Sequence, residues 1–162
     1  MFILNQTNMK KIYSSEKPNS VEYTPPRYIL NYNVYETSEE ELNELWKERF
    51  SETAEMPSTP DDWFREQNKY GFNQVTIPMG RWNYQGIVEA IIRDKYTADE
   101  MEAITNNMNA GTGEFFNVLV TDGILSATKY LLDNINDENA KNFKEMQEWR
   151  VLAKRIAKEI IK

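Results

Sequence analysis

The chain contains no cysteine and no histidine among its 162 residues. Disulfides, thiol nucleophiles, zinc sites of the usual ligand types and every Ser-His or Cys-His arrangement are thereby excluded, and most hydrolase mechanisms go with them. Long apolar runs are missing as well. Phe2-Ile3-Leu4 and Val118-Leu119-Val120 fall far short of the roughly 20 residues a membrane span needs. At the N-terminus apolar residues precede basic ones, the wrong order for a secretory signal, so residence in a cytoplasm is expected. Basic residues are in deficit, 19 Lys and Arg against 26 Asp and Glu, and a formal charge of -7 argues against a general nucleic-acid binder, which needs a basic surface or stripe.

What is present is 40% hydrophobic and 12% aromatic content, enough for one soluble domain with a core of ordinary size. The pattern predicts an α+β, mainly α fold: a small two-stranded β element followed by a C-terminal helical bundle, with an extended N-terminal arm. Residues 1–26 have neither helical nor strand periodicity and close on Pro25-Pro26, so they read as the arm, and residues 27–162 as a single domain. Residues 27–36 alternate, with Tyr28, Leu30, Tyr32 and Val34 on one face and Ile29, Asn31, Asn33 and Tyr35 on the other, which predicts a half-buried strand. Residues 74–79 can pair with it antiparallel, Pro78 confining them to an edge or a strand end.

Helix signals follow. Thr37 opens a helix with Glu39, Glu40 and Glu41 in its first turn, where carboxylates complement the helix dipole; Leu42, Leu45, Trp46 and Phe50 form its apolar stripe. Thr59 with Pro60 starts a short helix anchored by Trp63 and Phe64 and terminated by Gly71. From Asn83 to Met108 a helix carrying Ile87, Val88, Ile91 and Ile92 runs into a second, opened by a capping box between Thr97 and Glu100. Residues 109–113 read as a flexible joint, residues 114–133 and 138–162 as two longer helices. In the first of these Phe116, Leu119, Val120, Gly123, Ala127, Tyr130 and Leu131 make the main apolar arc, and Gly123, costly in mid-helix, is expected to admit a close backbone neighbour.

No constellation carries recognisable chemistry. Glu39-Glu40-Glu41 and Asp61-Asp62 are explained by helix starts, Asp122 lacks a catalytic partner, and Gly111-Thr112-Gly113 lacks the lysine and preceding strand of a phosphate loop. No catalytic residue, cofactor or metal is assigned. The cations of the last helix, from Lys141 to Lys162, read as a solvated or paired face, with the acidic helix after Thr37 as an internal or intermolecular counterpart. Two sets of apolar residues are candidates for partner binding. Phe2, Ile3, Leu4, Ile12, Tyr13, Val21 and Tyr23 are spaced as anchors along the arm, where pairing with a strand edge would offset the ordering cost of roughly 1–2 kcal/mol per residue. Val118, Leu125 and Leu132 recur every seven residues opposite the main arc, so that helix is either packed on both sides or presents a seam for a partner or another copy.

The run from Ile87 to Ile104 resembles a pattern in small proteins encoded among tail and fibre genes of tailed phages and prophages of gut bacteria. Phe143, Trp149-Arg150, Lys154 and Lys158 extend the similarity into the last helix, over roughly the last half of the chain. The resemblance implies no catalytic residues. It implies a non-enzymatic virion structural or assembly protein, made in the bacterial cytoplasm, that binds other phage structural proteins at the head, neck or fibre attachment and can associate with itself. Two other readings stay open: a cytoplasmic fibre-assembly chaperone, and a small acidic protein that binds a host enzyme.

Overall fold

The computed structural model describes residues 9–50, 59–134 and 138–162, leaving out the side chains at 116, 128 and 131–134. It divides into two compact units, Met9–Trp82 and a unit containing Asn83–Lys162. The protein is α+β and mainly helical, but the two-stranded element is in fact a four-stranded antiparallel sheet.

In the first unit the strands are β1 (Lys11–Ser14), β2 (Val21–Thr24), β3 (Arg27–Glu36) and β4 (Tyr70–Pro78), in the order β1-β4-β3-β2. The extended arm is therefore corrected from residue 11 onward. Its two halves are the edge strands, β1 pairing with β4 and β2 with β3. They escape the sequence pattern because each is four residues long, too short to show periodicity; the central partner supplies the hydrogen bonds that define them. Pro78 ends β4, which is an interior strand. Buried Asn31 secures the β1–β2 connection: its Nδ2 donates to the Asn19 carbonyl at 2.8 Å and to Glu22 Oε1 at 3.1 Å, and its Oδ1 accepts from Gln74 Nε2 at 2.8 Å.

Strand β3 holds a bulge. Tyr32 pairs with Asn73 and Tyr35 with Gly71, so three steps along β3 match two along β4. Asn33 absorbs the extra residue at φ 51, a left-handed conformation that asparagine tolerates better than most residues. Directly paired residues share a face, so Tyr35 is brought to the side of Tyr28, Leu30 and Tyr32, correcting the simple alternation.

Helices α1 (Glu39–Phe50) and α2 (Asp62–Gln67) complete this unit. Their caps are Ser38, whose hydroxyl accepts from the Glu41 amide at 3.2 Å, and Asp61, whose carboxylate accepts from the Phe64 amide at 2.7 Å; Thr37 and Thr59 are not the caps. Leu42, Trp46 and Phe64 form a buried cluster with Leu45 and Phe50 against it, the Trp46 and Phe64 rings meeting edge to face at 4.9 Å. Trp63, expected as an anchor, is 61% exposed.

The second unit contains α3 (Tyr84–Lys95), α4 (Ala98–Asn134) and α5 (Glu138–Ile160). The capping box at Thr97 forms as read: the Thr97 amide donates to Glu100 Oε2 at 2.7 Å and the Glu100 amide to Thr97 Oγ1 at 3.2 Å. Helix α5 packs along α3 and against α4, with its Met146, Ala153 and Ala157 buried, and Trp149 Nε1 donates to the Ile91 carbonyl at 3.0 Å. No joint exists at residues 109–113. The helix runs through them, since a glycine costs only about 1 kcal/mol in a helix interior and a propagating helix carries that.

Candidate functional site

The chain's break in α4 comes at Gly123 instead, where φ is 86 and ψ is 177, a region essentially reserved for glycine. The helix turns back there. Tyr130 Oη donates to Glu114 Oε2 at 3.2 Å across 16 residues, which a straight helix would hold roughly 24 Å apart at 1.5 Å per residue. Helix α4 is thus a hairpin with Gly123 at its bend, and a Cβ at that glycine would meet nothing within 4 Å. Its role is the backbone angle, not the close approach of a neighbour.

The bend decides which apolar residues are exposed. Val120, part of the main apolar arc on sequence, is 83% exposed, Ile124 73% and Leu125 86%, forming an apolar tip on the hairpin. The seam of Val118, Leu125 and Leu132 is corrected. Its seven-residue phase assumes one continuous helix, and Gly123 interrupts it between a half-buried Val118 and an exposed Leu125; the Leu132 side chain lies outside the described residues. Of the arm anchors, Phe2, Ile3 and Leu4 also lie outside them. Ile12 and Val21 are half-buried sheet residues opposite Phe72 and Leu30, and Tyr23 packs on Tyr28 with ring centroids 4.8 Å apart.

Tyr13 belongs to a polar cluster that sequence reasoning missed. Glu41 Oε1 accepts from Lys11 Nζ at 2.9 Å, Tyr13 Oη at 2.8 Å and Tyr35 Oη at 2.7 Å. Lys11 and Tyr13 come from β1 opposite Asn73 and Gly71, and the bulge puts Tyr35 on that same face. Gly71, expected to end a helix, lies under the Tyr35 ring: a Cβ there would stand 2.6 Å from Tyr35 Cζ. Asn33 is the one local signal of the bulge, and Glu41 is hidden among first-turn acids.

The electrostatics of this cluster favour a clamp over a reactive group. Burial opposes the Glu41 charge, but the hydrogen bonds from Tyr35, Lys11 and Tyr13 outweigh it and hold the carboxyl below its ordinary value. Burial, followed by the bond to Glu41, pushes the Tyr13 phenol well above its ordinary value. Tyr35 is raised chiefly by burial, with Lys11 pulling it back, and hydrogen bonding to Tyr35 and then Glu41 raises Lys11. At neutral pH both phenols are donors and the carboxylate an acceptor, which leaves no group poised to exchange a proton.

Among the described residues no group of acidic side chains could hold a metal ion, and no helix is long and apolar enough to cross a membrane. No family model, curated protein or solved structure matches the chain.

Proposed function

We propose that the chain is a non-enzymatic virion structural or assembly protein of a tailed phage, which binds another virion protein through the tip of the α4 hairpin. One observation carries the binding role: Val120, Ile124 and Leu125 stand 83%, 73% and 86% exposed around a glycine bend. Burying each such side chain is worth roughly 1.5–3 kcal/mol, and a cluster of exposed apolar residues is what an interaction surface displays. The phage setting rests on the resemblance of the Ile87–Ile104 run. The non-enzymatic part is supported by the Glu41 cluster, whose groups are held in their unreactive states.

Incorporation of Ile124→Asp and Leu125→Asp variants into particles, followed by mass spectrometry of purified virions, tests the reading. Expected is stoichiometric wild-type protein in the particle and loss of both variants, with unchanged melting temperatures. Absence of the wild type from virions combined with binding to nascent fibre would replace this reading with a chaperone, and capture of a host enzyme through the tip would replace it with a host-directed role.

A further inference from the structure

Helix α5 carries a second exposed face. Ala153 and Ala157 are buried with Met146, and the opposite side presents Val151, Arg155 and Lys158 at helical spacing with Lys154 beside them, Lys162 following just past the helix end. These residues and Glu159 line an open cavity of ≈ 460 Å³. Val151 is 67% exposed amid the cations. Residues 150–162 hold five cations and one acid in a chain of net charge -7, so positive charge is concentrated on a protein that is otherwise strongly acidic. Lys144, two turns before this stripe, pairs with Glu148 at 3.9 Å. Among the described residues no ion pair engages Lys154, Arg155 or Lys158.

The complementary surface lies on α1. Leu42 and Trp46 face inward, which turns Glu40, Glu44 and Glu48 outward at i, i+4 and i+8, all exposed. Glu39 is used by Arg65 at 3.3 Å and Glu41 by its three donors, but among the described residues no ion pair engages Glu40 or Glu44. Two helical stripes of opposite sign, the acidic one repeating every four residues and the basic one at steps of four and three, can lie side by side with cations against carboxylates and Val151 covered at the contact.

We infer that the basic stripe of α5 binds the acidic stripe of α1 on a second copy of this chain. The contact joins two different faces, so it is heterologous, and each added copy presents the same two faces again. It is independent of the hairpin tip, and stands whether or not the tip binds another protein.

Sedimentation of the full chain at millimolar protein in low and high salt tests this, with Arg155→Glu/Lys158→Glu and Glu40→Lys/Glu44→Lys variants alongside. Expected is reversible association in low salt that disappears at about 1 M salt, where the screening length is about 3 Å. Each double variant alone should associate about tenfold more weakly or worse. Mixing the two, or combining all four substitutions in one chain, should restore association, since either arrangement again pairs opposite charges; that rescue also separates lost contact from lost fold. A wild type that stays monomeric in low salt overturns the inference. So does association that survives both reversals, or a basic stripe whose reversal abolishes binding to duplex DNA while self-association is unchanged.

Discussion

Glu41 shows how much one side chain can decide. A carboxylate oxygen that receives two phenols and an ammonium ties β1, β3 and α1 to one point, and hydrogen bonds to a charged group are each worth about 1.5–3 kcal/mol. Because Lys11 is half exposed, solvent screening removes part of its share, and Glu41→Ala is expected to cost about 2–3 kcal/mol in urea unfolding. The pH dependence follows from the directions of the shifts. The Glu41 folded value lies below 4.5, so its contribution is complete above pH 4.5 and is lost as the pH falls from there through the folded value. The Tyr13 folded value lies above 10.0, so its contribution is complete below pH 10.0 and is lost as the pH rises through the folded value. Stability of wild type measured against pH should thus fall on both sides of a plateau. In Glu41→Gln the acid limb should be shallower; an identical acid limb would show that other carboxyls set it.

At the scale of elements, two short strands and one bend carry the architecture. Without β1 and β2 the hydrogen-bonding edges of β4 and β3 would be open and two of the three Glu41 donors gone. Removal of residues 9–24 is therefore expected to unfold the Met9–Trp82 unit, seen as lost sheet signal in circular dichroism and rapid proteolysis; an unchanged melting curve would mean that two strands suffice. In α4, Gly123→Ala places a Cβ on a backbone at φ 86, a strain of about 1–3 kcal/mol. The helix can relieve it by straightening. With no native cysteine to interfere, spin labels on cysteines introduced at positions 117 and 129 report this directly. Their distance is expected to rise toward about 18 Å, the length of 12 residues of straight helix, whereas an unaltered distance would show that the hairpin holds against the strain.

For the whole molecule, charge and exposed apolar surface act together. The sequence pI is ≈ 4.8, and near it the net repulsion that keeps copies apart vanishes. Turbidity in low salt is expected to peak close to that pH, and to fall in Leu125→Asp, which removes apolar surface from the hairpin tip and adds a negative charge. A variant that precipitates like wild type would place the sticky surface elsewhere. The pH at which precipitation peaks lies close to that at which the Glu41 contribution begins to fade, so scans need low protein concentration to separate unfolding from precipitation.

Local rules settled those parts of the fold whose causes lie within a few residues. The bounds of β3, the capping box at Thr97, the buried stripe of α1 and the apolar face of α3 were all legible, because alternation, cap chemistry and helical spacing act over one or two turns. Contacts distant in the chain decided the rest. The segments at 11–14 and 21–24 became strands because β4 and β3 offered them partners, and Tyr35 joined Lys11, Tyr13 and Glu41 because a bulge at Asn33 changed its face. Gly123 is visible as a glycine, but its φ and the reversal of α4 depend on what the two arms of the hairpin pack against. Exposure of Val120, Ile124 and Leu125 follows from that reversal: helical periodicity says which residues share a face, and only tertiary packing says which face is covered.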